Sequence, residues 1–175
     1  MNNFYNKHCE KYFEKYPAVY EYFTSSDSRI NALKIFKTAS TVIMYAAYII
    51  LLVCLAVSHD MRIITAIAVP AFVFFLVTAV RKGINAPRPY EKYPIKPVLP
   101  KATKGKSCPS RHTACAVVIA LACLYVNTPA GIFLVILAAL IAISRPLMGV
   151  HFPLDVIFGA LLAVIPSIVG FYLIP

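Results

Sequence analysis

ASTVIMYAAYIILLVCLAVS, residues 39–58, carries no charge from end to end. A helix of about 20 apolar residues crosses the hydrocarbon core of a bilayer, so this run predicts a membrane-spanning helix. Outward from it, four more apolar stretches follow: IITAIAVPAFVFFLVTAV (63–80), the shorter HTACAVVIALACLYV (112–126), AGIFLVILAALIAIS (130–144), and a last one from Pro153 to about Leu173. Pro70 and Pro166 fall inside two of them. Neighbouring helices can satisfy the carbonyls that such prolines free, so they do not argue against spanning. The expected fold is all-α: a polytopic membrane helix bundle of about five transmembrane helices. HDMR (59–62) and NTP (127–129) read as tight hairpins, which leaves 81–111 as the one long connection.

Composition agrees. Of the 175 residues 60% are hydrophobic, and the mean hydropathy is +0.74, whereas soluble domains hold about 45–50% apolar residues. The five cysteines are odd in number and three of them lie inside apolar runs, so neither a disulfide framework nor a cysteine metal site is expected. The net charge of +10 does not point to nucleic acid, because the basic residues flank apolar spans. Membrane lipids with anionic headgroups, or an anionic substrate at the bilayer surface, are the fitting partners.

Residues 1–38 are too charged to span. Tyr5, Cys9, Tyr12, Tyr16, Tyr20 and Phe23 recur at helical spacing among Lys and Glu, with Pro17 expected to interrupt them. The segment reads as an amphipathic helix lying at the interface; a solvated helix packed on the long loop is the alternative. SSDS (25–28) then starts the helix that enters the first span. The chain thus divides into an N-terminal amphipathic segment, 1–38, and a transmembrane domain, 39–175. With no apolar leader in the first segment, the first span is expected to direct insertion itself.

Five spans place the long loop, the N-terminus and the link SRPLMGVHFPLD (144–155) at one end of the bundle. Ionisable residues at a membrane boundary are costly and mark function. This end collects Arg81, Lys82, Arg88, Arg111 and Arg145 together with His112 and His151. Arginine forks and helix N-termini bind phosphate oxygens, and Pro109–Ser110 precedes the third span as a helix start would. His151 and Asp155, four apart, are expected on one helix face. There a carboxylate can hold one imidazole nitrogen and leave the other free to attack phosphorus. His112, from another helix, can protonate the leaving oxygen.

These segments resemble the signature of the type 2 phosphatidic acid phosphatase superfamily: K-x6-R-P, P-S-G-H and S-R-x5-H-x3-D. The third motif matches fully with Ser144, Arg145, His151 and Asp155. The second matches at Pro109, Ser110 and His112, with Arg111 in place of glycine. The first matches at Arg88–Pro89, with Arg81 at the lysine position and Lys82 beside it as the other occupant. The resemblance covers residues 60–175. It implies a phosphatase that needs no metal or other cofactor and works through a phosphohistidine. His151 would be the nucleophile, Asp155 its orienting partner and His112 the general acid. Arg81 or Lys82, Arg88, Ser110 and Arg145 would bind phosphoryl oxygens, with Arg111 placed for a second phosphate or for the headgroup region.

A lipid-linked phosphate that diffuses in laterally follows from a site at the membrane surface. Undecaprenyl pyrophosphate is the favoured substrate, with phosphatidylglycerophosphate or phosphatidic acid as alternatives. Readings of another class are a lipid phosphotransferase and a non-catalytic lipid-binding protein. The resemblance suggests a bacterial plasma-membrane protein. Every Lys and Arg but Arg62 falls at the active-site end, so the positive-inside rule turns that end to the cytoplasm.

Overall fold

The change from polar to apolar sequence at residues 38–39 falls inside a single helix. The computed structural model describes residues 3–173; residues 1–2 and 174–175, the outer ends of the two segments read from the sequence, lie outside the described residues. Helix α1 spans Asn3–Thr24 and α2 spans Asp27–Val57. Ser26 caps α2 in an extended conformation, and Asp27 in the first turn sits at the positive end of the helix dipole. Pro17 does not interrupt α1, contrary to expectation. Its ring lies on the exposed face; Tyr5, Cys9 and Tyr16 are buried before it, and Val19, Tyr20 and Phe23 pack on the core after it, so the helix is anchored on both sides.

Four helices follow in the order of the apolar runs: α3 (Arg62–Ile84), α5 (Arg111–Val126), α6 (Thr128–Leu147) and α7 (Pro153–Ile168). The short α4 (Pro89–Lys92) lies in the long connection, and α7 runs on into a π-helical turn, Val169–Leu173. Four segments are long and apolar enough to cross a membrane: α2, α3, α6, and α7 with its π turn. At 16 residues, α5 is shorter. It can be short because it is the inner helix, packed against α2, α3, α6 and α7.

Small side chains make that packing close. Ala114, Ala116, Ala120 and Ala122 line the buried faces of α5, and Gly131 of α6 lies so near the Leu124 backbone that a Cβ would have no room. Without water to drive helices together, such close backbone approach supplies the dispersion energy of a membrane bundle. The outward faces are the reverse of a soluble protein's: Ile49, Phe75, Phe133, Ile136 and Ile165 are large, apolar and exposed. Lipid tails are the solvent that matches them.

The two ends of the bundle differ. At one, α2 and α3 join through a tight turn with His59 in the left-handed region (φ 52°), and α5 joins α6 directly at Asn127. At the other lie residues 85–110, the turn 148–152 and α1. The Tyr12 hydroxyl of α1 donates to the Pro146 carbonyl (2.7 Å), and the Tyr16 hydroxyl accepts from Val98 N (3.2 Å). Gly149, left-handed at φ 74°, makes the turn out of α6, where a side chain would strike the Tyr16 ring.

Candidate active site

The start of α7 arranges the core of the site. Phe152 is extended and Pro153 opens the helix, where its missing N–H costs nothing. Asp155 folds its carboxylate back over the helix N-terminus to accept from Phe152 N at 3.0 Å. His151 therefore precedes the helix rather than sharing a face with Asp155, which corrects the expectation from their spacing. The two still meet: His151 Nδ1 stands 3.7 Å from Asp155 Oδ2. Ser107 bridges them, donating to Oδ2 at 2.5 Å with its Oγ 3.5 Å from Nδ1. The Tyr5 hydroxyl donates to the other oxygen, Oδ1, at 2.7 Å.

Burial of this group is nearly total, with His151 at 1% and Asp155 at 0% exposure. Taking the imidazole out of water pushes the His151 pKa down to about 4, against the pull of the neighbouring carboxylate. The ring is neutral at physiological pH. With Nδ1 turned to Ser107 and Asp155, Nε2 is the nitrogen with a free lone pair.

Three arginines stand at this end of the bundle in different ways. Arg88, 4% exposed, caps α4; its guanidinium donates to the carbonyls of Gly105 and Val150, both at 3.1 Å. Arg81 donates to the Pro109 carbonyl at 2.7 Å from the last turn of α3. Arg145 is 3% exposed, and its Nε and Nη2 have no partner among the described residues. Buried N–H groups of a cation are costly without an acceptor, so these two are set to receive an anion.

Ser110 caps α5. It is not among the residues that line the two cavities below; its N–H donates to the Asp155 carbonyl (2.8 Å) and its Oγ accepts from Thr113 (3.0 Å), so it ties α5 to α7. Gly159 permits this: a Cβ there would sit 2.5 Å from the Ser110 carbonyl oxygen. The first intrahelical bond of α5 is Ala114 N to Ser110 O, which leaves the N–H groups of Arg111, His112 and Thr113 without intrahelical acceptors.

A cavity of 420 Å³ gathers Arg81, Lys82, Arg88, Lys101, His112 and His151, with Arg111 also on its wall and no carboxylate in the lining. A second cavity of 180 Å³ borders it, with Arg111 and His112 common to both. Its other walls are Arg145, Thr41 and Tyr45 with apolar residues of four helices, among them Met44, Phe74, Ile119 and Ile141. A basic chamber thus borders one that mixes Arg111, His112 and Arg145 with apolar side chains. An anionic head with an apolar tail fits that pair.

The residues expected from the sequence converge here with some sorting. Arg81 reaches into the loop before α5, while Lys82 stays exposed at the rim. Arg111 is exposed at the first position of α5, its guanidinium 5.7 Å from the centre of the Phe74 ring. Lys101, from the long connection, is half-buried, and burial together with Arg88 and Arg145 lowers its pKa to about 8. Tyr5, Ser107 and Gly159 escaped the sequence reading. Ser107, two residues before Pro109, sits next to a motif that pointed to it; nothing local marks Tyr5.

A family model of the PAP2 superfamily matches residues 61–175, from the turn before α3 onward. The chain belongs to the PAP2 superfamily. It is similar to the undecaprenyl-diphosphatase BcrC of Bacillus subtilis (strain 168), with 37% identity over 79 residues, a stretch that is 45% of this chain and 40% of BcrC. The match therefore spans less than half the length of that curated relative. Among solved structures it is similar to LpxE of Aquifex aeolicus, at a TM-score of 0.69 and 24% identity over 87% of this chain and 92% of that one. That likeness shows the fold, and it extends beyond the family match into the N-terminal part of the chain.

Proposed function

We propose that the chain is a membrane lipid phosphatase that acts through a phosphohistidine, independently of metal, with undecaprenyl diphosphate as the favoured substrate. The observation that carries this reading is the basic cavity lined by both His151 and His112, with Arg81 and Arg88 and no carboxylate. Arg81, Arg88 and the free N–H groups at the start of α5 take the phosphoryl oxygens, joined by Arg145 from the adjoining cavity. His151 Nε2 forms a bond to phosphorus as the bond from phosphorus to the leaving oxygen breaks, and His112 gives that oxygen its proton. Asp155 steadies the imidazolium. A water then attacks the phosphohistidine, His112 takes its proton, and inorganic phosphate leaves.

Three observations support a diphosphate. The chain is similar to a protein named undecaprenyl-diphosphatase. Lys101, Lys82 and Arg111 supply cations beyond those that one phosphate needs. The apolar side chains of the adjoining cavity, Met44, Phe74, Ile119 and Ile141, suit the first segment of a prenyl chain. We place the site at the cytoplasmic face, because the Lys and Arg residues cluster at its end of the bundle. A cysteine at exposed Lys96 that an impermeant maleimide reaches only after permeabilisation supports this side; labelling of intact cells rejects it.

The test is phosphate release in detergent with EDTA, from undecaprenyl diphosphate, phosphatidylglycerophosphate and phosphatidic acid. Fastest release from the diphosphate is expected, with loss of it in His151→Ala. Preference for either phospholipid moves the substrate to that alternative. Transfer of phosphate to a lipid without release identifies a phosphotransferase, and unchanged release in His151→Ala removes the phosphohistidine.

A further inference from the structure

The Asp155 carboxylate is held from a place that the family match does not cover. Its Oδ2 accepts from Phe152 N and Ser107 Oγ, both near it in the site, whereas Oδ1 accepts from Tyr5 of α1, 150 residues away in sequence. Tyr5 is 8% exposed and is gripped on several sides. Its ring meets Phe152 edge-on at 6.1 Å, and the Lys92 ammonium lies 5.8 Å from its centre while donating to Asn6, the next residue of α1, at 2.8 Å. Tyr12, two turns on, packs edge-on against the same Phe152 at 5.5 Å. The N-terminal helix is thus clamped onto the residue between His151 and Pro153, with one phenol hydroxyl directed at the catalytic carboxylate.

We infer that Tyr5 is a positioning residue for the reaction: α1 fixes Asp155 through the Tyr5 hydroxyl, and thereby sets how strongly Asp155 draws on His151. This rests on the phosphohistidine reading above. The chemistry follows from counting donors. Tyr5 stays protonated, since burial first and the Asp155 charge second raise its pKa, so its hydroxyl can only donate to the carboxylate. Each donated hydrogen bond withdraws negative charge from Asp155 and makes it a weaker acceptor for the His151 proton. It also fixes the carboxylate plane, which otherwise could turn about its last bond. Other titratable or charged groups around the pair are Arg81 of α3, Arg88 at the cap of α4, His112 of α5, Cys108 of the loop before it, and Cys9 and Tyr12 of α1. Tyr5 and Ser107 are the side chains whose hydroxyls reach the carboxylate.

The experiment compares the full chain with Tyr5→Phe and Tyr12→Phe, in detergent, on whichever lipid phosphate of the panel the protein hydrolyses. Tyr5→Phe keeps the ring packing and deletes the hydrogen bond. The kcat is expected to fall by up to about tenfold, the scale of one hydrogen bond to a charged group, with KM unchanged. The sign of the pH effect is the sharper readout. Asp155, relieved of a donor, attracts the His151 proton more strongly, so His151 protonates at higher pH and the acid limb of kcat moves up. Tyr12→Phe removes a hydroxyl of the same helix that bonds only the Pro146 carbonyl, and it is expected to leave that limb in place. A Tyr5→Phe protein with wild-type kcat and acid limb overturns the proposal. So does a fall in kcat shared equally by both variants with no movement of the limb, which would show that α1 docking alone matters. A wild-type protein without turnover on any lipid phosphate overturns the proposal together with the reading beneath it. Turnover lost in His151→Ala but untouched in Tyr5→Phe overturns this proposal alone.

Discussion

One end of the bundle is held by neighbours in sequence, the other by partners far apart in it. At the turn between α2 and α3, Asp60 pairs with Arg62 at 2.6 Å, two residues on and in solvent. At the opposite end, the polar contacts join Tyr5 to Asp155, Tyr12 to Pro146, Tyr16 to Val98 and Ser107 to Asp155. The apolar middle needs only helices whose backbones are satisfied internally and whose outer faces suit lipid. Chemistry on a phosphate needs cations and imidazoles at fixed places, and holding them there takes loops tied across the whole chain. The contrast teaches where substitutions should matter for turnover and where they should not.

The largest effect is expected at His112, the proton-transfer partner in the proposed mechanism. His112→Ala keeps His151 and every arginine, and it should lower kcat by about 10²–10⁴-fold, the usual share of a positioned acid and base. Phosphate release at saturating substrate measures this. A loss of less than about threefold would show that the leaving oxygen takes its proton elsewhere, and the polar end would lose its acid.

Next comes the arginine whose N–H groups have no protein partner. Arg145→Gln should raise KM by about 10–100-fold, the worth of one or two hydrogen bonds between charged groups, with little change in melting temperature because no hydrogen bond of its Nε or Nη2 is lost. Arg88, whose guanidinium ties two carbonyls, should by contrast lose both binding and stability when replaced. If the two arginines behave alike, the division between a structural and a receiving arginine fails.

Gly159→Ala tests the join of α5 and α7 without touching the cavity lining. The added carbon would crowd the Ser110 carbonyl, so the protein should lose about 1–3 kcal/mol of stability, as overpacked sites do. Thermal unfolding in detergent checks this. An unchanged melting temperature would mean that the loop before α5 can shift at no cost.

A smaller effect comes from His151 and pH. Its pKa in the folded protein is about 4, against 6.5 for an ordinary histidine. Between these values the unfolded chain binds a proton that the folded one refuses, so stability falls as pH drops from about 6.5 toward about 4 and is flat above. His151→Gln should flatten that slope in melting temperature. A slope unaltered by the substitution would assign it to other groups.

Much of this was legible in sequence, and the omissions have a physical pattern. The spans were readable because lipid demands long uncharged runs, and Arg88, His112, Arg145, His151 and Asp155 because charge at a membrane boundary stands out. The start of α2 was legible too: SSDS (25–28) marks it and the helix begins at Asp27, although Asp27–Thr38 is polar and lies outside the apolar run. Pro17 misled, since tertiary anchoring on both sides outweighs one lost backbone bond. His151 and Asp155 were placed on one helix face, although the helix starts only at Pro153. Tyr5 and Ser107 were invisible because their importance lies in what they touch across the fold, and no spacing encodes that.

The smallest effect expected is at the far end, and it is the control that gives the comparison its meaning. Asp60 accepts from Arg62 through both carboxylate oxygens, the geometrically best ion pair among the described residues, and the Arg62 hydrogen bond holds its carboxyl below the usual range. By contact geometry alone it should matter more than the 3.7 Å approach of His151 to Asp155. Exposure reverses that order, because water and salt screen a surface pair and solvate its members well when it breaks. Asp60→Asn should therefore leave kcat and KM at wild-type values, while Asp155→Asn, at a longer and poorer contact, should cost most of the activity. Phosphate release by the two variants, side by side, reads the difference directly. Equal losses in both would mean that the far turn is coupled to the site through α3, and the two ends would have to be treated as one.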